Sequence, residues 1–497
     1  MTRFHCAHLP SENSRQSILL QRLLIVISSV TLAAGGCMTN LATGERHLNF
    51  ISEDQEIQMG RESDQQVVAS MGLYGDSSVQ RYVRQLGTRL ESTSERPNLP
   101  WSFRVVDDPA VNAFALPGGF IYVTRGILPY LNNEAELAGV MGHEIGHVTA
   151  GHSVNQMATQ QIAQLGLGIG MALKPELQQF GQLASTGLGL LFLKFSRDDE
   201  SQADALGLRY MNRQKYNPQE MAGVMTMLDG VTKASGGGNV PEWLETHPDP
   251  GNRRERILQE IDTMKSTPHG TVVNGPEYLA KIDGMVFGDN PREGFFRGTL
   301  FMQPEMKFQF RFPEGWKTSN TRNAVAAASP QQDAMIQIGM SDQKTAEAAA
   351  GKFFSQQGLT GEARRSSSIH SFPVRSAGFT AQTDQGVLQG NASFLEFGGS
   401  VFQIVAYSGQ QQWAGYQSAL MQAVGTFDRL TDPKALAVQP MKLRIVKIDR
   451  AMTLQEFNQK YPSSVSIDVV ALINQVDPGA MLRAGQSVKQ VTGTKAE

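Results

Sequence analysis

The amino-acid sequence predicts a multidomain α+β chain: a mainly α-helical first half, an α+β middle domain and a small closing module. Three observations carry this. At roughly 150 residues per domain, 497 residues make about three domains. Apolar residues recur at helical spacing in much of the first half. After Pro268, Phe308, Phe310 and Phe312 alternate with Lys307, Gln309 and Arg311, the period of a half-buried strand. Asp432 to Ala437 then reads as a linker to a last module over residues 438–492.

Composition excludes several classes. Lys plus Arg number 44 and Asp plus Glu 47, a net charge of −3, so there is no basic surplus for nucleic acid and no such partner is expected. With 18% charged and 40% hydrophobic residues the chain is not a disordered polyelectrolyte. The two cysteines, Cys6 and Cys37, both precede the folded part. That part therefore has no disulfide framework, Cys-ligated zinc, iron–sulfur cluster or Cys nucleophile. Any metal must be held by His, Asp or Glu.

Residues 1–36 read as an export signal. Arg3, Arg15 and Arg22 precede an uncharged, mostly apolar run of 12 residues, Leu23 to Ala34, and then Gly35-Gly36-Cys37. That run spans about 18 Å, short of a ~30 Å hydrocarbon core. The segment resembles a bacterial lipoprotein signal, in which Cys37 would be lipidated and become the mature N-terminus. Ala34 stands where such signals usually carry Leu. An ordinary signal peptide or an uncleaved anchor is the alternative. Met38 after the cysteine points to the outer membrane, and residues 37–53 read as a tether.

The first domain is expected over residues 54–265. From Asp54 to Glu95 the pattern is helical, with Val79, Tyr82, Val83, Leu86 and Leu90 three or four apart. Trp101 to Val106 reads as a strand. Asn112 to Leu128 reads as two strands around Pro117-Gly118-Gly119, which lacks the spacing of a phosphate loop. Glu134 to about Gln164 reads as one long helix. Gln164 to Phe195 is rich in Gly and Leu and broken at Lys174-Pro175-Glu176, either a cover or a core hairpin. Ser196–Arg213, Pro218–Ser235 and Asn252–Met264 read as helices.

The chemistry lies in His143-Glu144-Ile145-Gly146-His147. At about 100° per residue, His147 falls about 40° from His143, one turn on, so two imidazoles can grip one cation. Glu144 can then face a water on that cation as general base for attack on a peptide carbonyl. The pattern is short, and an ordinary amphipathic helix can carry it. Glu200 and Asp204, four apart at the start of a later helix, offer a third ligand and a carboxylate to orient a ligating His. His152, nine residues past His143, is expected on the opposite side of the helix as a structural or exposed residue.

Four strings in order, NAFALPGG, HEIGHVTAGH, SRDDESQADALG and THPDPGNRRERI, resemble the zinc metallopeptidases of the CAAX-prenyl-protease-like family, particularly its periplasmic BepA-like branch. The resemblance covers roughly residues 50–262. It implies a zincin-like helical domain with a small edge-strand sheet and one Zn²⁺ per chain on His143, His147 and Glu200. It implies Glu144 as catalytic base and Asp204 as the acid behind the ligands. Asn112, Ala113, Phe114 and Ala115 are similar to the edge strand that pairs with an extended protein substrate. In such relatives a loop His corresponding to His247 can occupy the open zinc position as a latch. A substrate contact or a structural role is the alternative. One of Arg253, Arg254 and Arg256 is expected to pair with Asp204 or Glu200.

The middle domain, residues 276–430, has one histidine, His370, and no catalytic constellation. The last module, with Thr453–Phe457, Ile473–Gln475 and Leu482–Lys489, resembles a LysM-type βααβ domain, which implies peptidoglycan as a partner or, if degenerate, protein contacts. The expected function is zinc endopeptidase action on misassembled or exported proteins in the periplasm, on an outer-membrane lipid anchor at Cys37. The alternatives are an assembly factor or chaperone for outer-membrane proteins with a latent protease site, working with the assembly machinery, or a wall-binding lipoprotein.

Overall fold

A computed structural model describes residues 37–48, 51–158, 194–234, 242–247, 250–264, 269–383 and 386–494. The export signal and the Gly/Leu-rich residues 164–193 lie outside them. Two short strands, β1 (Cys37–Thr39) and β2 (Arg46–Leu48), pair antiparallel. Between them the Asn40 side chain donates to the carbonyls of Thr149 and Ala150 at 3.1 and 2.8 Å. The stretch read as a tether thus folds back onto the end of the His-bearing helix.

The helical pattern of residues 54–95 is two helices, α1 (Glu53–Met71) and α2 (Ser77–Glu91). They part at Gly72, whose φ of 72° suits glycine. Asp76 caps the second by accepting from the amides of Ser78 and Val79. Strand β3 (Ser102–Val106) runs parallel to β5 (Phe120–Thr124), and β4 (Ala113–Leu116) runs antiparallel to β5 in the order β3-β5-β4. Of the two outer strands, β4 packs beside the His-bearing helix.

That helix, α3 (Glu134–Ala150), is buried along its whole length. Asn133 caps its start, and Gly151 at φ 70° ends it. The predicted run to Gln164 is therefore two pieces, with helical turns resuming at 152–158. The left-handed glycine reverses the path, which apolar spacing alone does not reveal. Next come α4 (Arg197–Arg213), α5 (Gln219–Ala234), α6 (Glu242–Thr246), α7 (Pro250–Thr263) and α8 (Gly275–Ile282). A capping box starts α4: Ser196 Oγ accepts from the Asp199 amide, and the Asp199 carboxylate accepts from the Ser196 amide.

Helices α3 and α4 touch backbone to backbone. A Cβ on Gly207 would lie 3.0 Å from the His143 nitrogen, and one on Gly146 would lie 2.9 Å from the Ala203 carbonyl oxygen. No side chain larger than hydrogen fits either place without parting the helices.

The middle region builds its own core. One sheet holds β6 (Phe295–Arg297), β7 (Leu300–Gln303), β8 (Phe308–Arg311) and β17 (Asp428–Arg429). A larger antiparallel sheet holds β9 (Lys317–Asn320), β10 (Ala324–Ala328), β11 (Ala334–Ser341), β12 (Leu359–Gly361), β13 (Arg365–Ile369), β14 (Phe372–Thr383), β15 (Gly386–Phe397) and β16 (Ser400–Gly409). Helices α9 (Ala346–Phe354) and α10 (Trp413–Val424) pack on its two faces. The aromatics Phe308, Phe310 and Phe312 are core, as their alternation predicts.

After α11 (Pro433–Leu436), β18 (Lys442–Lys447) pairs antiparallel with β21 (Ser487–Thr492). Between them lie β19 (Met452–Thr453), α12 (Leu454–Lys460), α13 (Ile467–Asn474) and β20 (Met481–Leu482). This module is not a separate bead. Leu443, Ile473 and Val491 join the apolar core of the first half. The fully buried Lys489 donates to the carbonyls of Pro129, Leu131 and Ile473 at 2.8, 2.5 and 2.7 Å. Gln475 donates to Tyr130 O and to Glu136 in the first turn of α3. Among the described residues no helix is long and apolar enough to cross a membrane.

Gly207→Ala should lower unfolding stability by about 1–3 kcal/mol through overpacking. Urea denaturation would read it, and an unchanged midpoint would contradict so close a helix contact.

Candidate metal centre

The buried helix α3 supplies His143 and His147 one turn apart, and their Nε2 atoms lie 3.0 Å from each other. Glu200, on α4, brings Oε1 within 3.5 Å of His147 Nε2 and Oε2 within 3.5 Å of His143 Nε2. His247, just past α6, adds a fourth donor: its Nδ1 is 2.8 Å from Glu200 Oε1 and 3.3 Å from His143 Nε2. All four side chains are buried, and one donor atom from each lies within 4.8 Å of the others. In a tetrahedral zinc site with ligands at ~2.0–2.1 Å, neighbouring donors stand roughly 3.3–3.4 Å apart. The separations and the nitrogen–carboxylate donor set fit that ion.

The imidazoles are prepared to ligate. His143 Nδ1 is 3.0 Å from Asp204 Oδ1, which fixes its proton there and leaves Nε2 a bare lone pair. Burial, helped by the Arg253 charge, pushes His143 down to about 3, so it stays neutral. The Arg expected near the carboxylates is Arg253, fully buried. It grips Asp204 with two bonds, Nε to Oδ2 at 2.9 Å and Nη2 to Oδ1 at 2.6 Å, and its Nη1 stands 2.8 Å from Glu200 Oε2. Burial alone would raise Glu200 and Asp204. The neighbouring His247 and Arg253 hold Glu200 well below the usual carboxylate range, and Arg253 and His143 lower Asp204.

Glu144 is also buried. Its Oε1 accepts from Trp243 Nε1 at 3.3 Å and lies 3.7 Å from His247 Nε2. Burial pushes its carboxyl up to about 8, despite opposing pulls from His147, Trp243 and Arg253. A carboxyl with proton affinity in this range suits proton transfer near neutral pH.

Three contributors escaped the sequence reading. Trp243 stacks on His247 at 4.7 Å and lies under the Arg253 guanidinium, also at 4.7 Å. Its place four residues before His247 is the signal that could have found it. Phe195 packs on the His147 ring at 4.1 Å. His152 is not on the opposite side of the helix. Because α3 ends at Ala150, the chain turns and brings His152 Nδ1 to 2.9 Å from His147 Nδ1, with Gln202 3.2 Å from its other nitrogen. Of the residues expected to pair with a substrate, Ala113, Phe114 and Ala115 lie on the outer strand β4, and Asn112 precedes it. The backbone at Cys37 lies in β1, apart from this centre in sequence but joined to the end of α3 through Asn40.

Arg253→Met should destabilise the protein by about 3–5 kcal/mol, since it strips the counter-charge from two buried carboxylates. Asp204→Asn should weaken zinc binding about 10- to 100-fold with little loss of helix content, read by chelator competition and circular dichroism.

Comparison with known proteins agrees with this geometry. A family model described as peptidase family M48 matches residues 77–261, the span that holds the four donors and Glu144. The chain is 29% identical over 327 residues to the beta-barrel assembly-enhancing protease of Yersinia pestis, covering 60% of this chain and 66% of that one. It is 32% identical over 243 residues to the protein of the same name in Escherichia coli K12, covering 46% and 48%. It is 31% identical over 235 residues to the mitochondrial metalloendopeptidase OMA1 of Schizosaccharomyces pombe, covering 45% and 67%. The chain thus spans about half to two thirds of the length of the curated relatives it matches. With the matched span coinciding with a buried two-His, one-Glu centre that fits zinc, the chain belongs to peptidase family M48, the zinc metallopeptidases.

Proposed function

We propose that the chain is a zinc-dependent endopeptidase of the bacterial cell envelope that hydrolyses misassembled or exported proteins. The observation that carries this is the convergence of His143, His147 and Glu200 beside the buried Glu144. Zinc held there would acidify water and polarise a peptide carbonyl. Glu144 takes the proton from that water at its carboxylate, and Trp243 holds the carboxylate in place. Asp204 keeps His143 in its ligating tautomer, and Arg253 balances the charge. An extended substrate adds to the side of β4 away from β5, which pairs with no strand among the described residues, at Ala113–Ala115, so its backbone is gripped whatever its side chains.

His247 acts as a latch. As fourth donor it competes with water for the ion, so cleavage requires the turn after α6 to move. This favours a second reading, an assembly or chaperone role for outer-membrane proteins in which the protease is held latent. The name of the Yersinia pestis and Escherichia coli relatives, beta-barrel assembly-enhancing protease, points the same way. Lipidation at Cys37 would hold the chain on the outer membrane. The closing module, with two helices between the paired β18 and β21, suits a LysM-like contact with peptidoglycan.

Glu144→Gln should keep one zinc per chain and lower casein cleavage by about 10²- to 10⁴-fold. His247→Ala should raise cleavage; a fall would assign His247 to substrate contact instead. Complementation of an envelope defect by Glu144→Gln would make assembly the main role, and failure would make it proteolysis. Peptidoglycan pull-down should retain the full chain, and absence of retention would end the wall-binding reading.

A further inference from the structure

The middle region holds a cavity of about 700 Å³ between the face of the large sheet and helix α10. Its size suits a small ligand. The floor is unusual for a sheet beneath a helix. On β14 and β15, the opposed pair Val374 and Leu395 belongs to the apolar core. One pair further along come Ser376 and Ser393, then Gly378 and Asn391, then Thr380 and Gln389. Residues two apart share a face, so one face changes from apolar to amide and hydroxyl within a few residues.

The polar groups there are only partly used. Ser393, 3% exposed, donates to Asn391 Oδ1 at 2.9 Å. The Asn391 amide nitrogen donates to nothing among the described residues. From the roof, Trp413 lines the cavity at 6% exposure, and its indole N–H meets no acceptor among the described residues. That N–H is not closed off from solvent, so it is open to a ligand in the cavity. At the rim the Glu362 carboxylate lies over Gly378, within 2.7 Å of where a Cβ would stand, and Arg365 is the opposite charge.

These features select a chemistry. An acyl chain would leave the Ser and amide groups without hydrogen bonds. An anion would meet one arginine and one glutamate, with no net attraction. A peptide strand would find a sheet face, whose backbone groups are already paired. A neutral, hydroxyl-rich ligand satisfies amides, which both donate and accept, together with a free indole N–H and an apolar wall. We propose that this cavity is a saccharide-binding site, separate from the metal centre and from the closing module.

The test is calorimetric titration of the full chain with N-acetylglucosamine trisaccharide and with maltotriose, using glycerol as control. One trisaccharide should bind with a Kd of roughly 10 μM to 1 mM. Asn391→Leu, which fills the floor and removes the amide, should weaken it at least about tenfold, as should Trp413→Phe. Casein cleavage should be unchanged in both. Because both variants change packing in the core, Gln389→Ala at the half-exposed end of the floor is a milder third, expected to weaken binding several-fold at an unchanged melting temperature. Absence of binding by both trisaccharides up to about 10 mM would overturn the proposal. So would equal binding by wild type and all three variants, which would send the sugar to another site.

Discussion

The metal centre depends on one steric fact, the contact of α3 and α4 through Gly142, Gly146, Ala203 and Gly207. Two helices with ordinary side chains pack with axes 8–10 Å apart. Glycine on facing positions lets the backbones meet, and only then does a short Glu side chain reach two imidazoles on the other helix. The two imidazole donors share these turns with the glycines: His143 follows Gly142 and His147 follows Gly146, while Asp204, which bonds His143, follows Ala203. Packing and ligation are therefore one requirement. Anything that parts the helices by an ångström spreads the donor set by about as much.

Burial then sets the electrostatics. Glu144, Glu200 and Asp204 are three carboxyl groups in one dry volume, with Arg253 as a permanent cation among them. One guanidinium cannot balance three carboxylates. A divalent cation would balance the two remaining negative charges and leave Glu144 ionised as a base, whereas burial without that cation drives Glu144 toward its protonated form. Trp243 links these parts: it bonds Glu144, stacks on His247 and lies under Arg253, so motion of His247 would be felt at the base.

The outer parts of the chain converge on the same helix. Asn40, close to Cys37, bonds the last carbonyls of α3, while Gln475 and Lys489 of the closing module bond its first turn and the turn before it. Both ends of the metal-binding helix are thus held by segments far away in sequence. The middle region keeps its own apolar clusters.

The sequence by itself determined the local chemistry. The one-turn spacing of His143 and His147, the i,i+4 pair Glu200 and Asp204, the Ser196 helix start and the aromatic alternation of Phe308, Phe310 and Phe312 are all short-range patterns. Periodicity reads such patterns well. The end of α3 was less legible, because the apolar spacing runs past Gly151 while its left-handed backbone stops the helix, and that reversal brings His152 onto His147. Only the tertiary structure decided the long-range partners: that Arg253 rather than Arg254 or Arg256 grips Asp204, that Trp243 holds Glu144, and that the closing module shares the core of the first half. Those pairings join elements tens to hundreds of residues apart. They depend on how separate elements pack against one another, which no local spacing encodes.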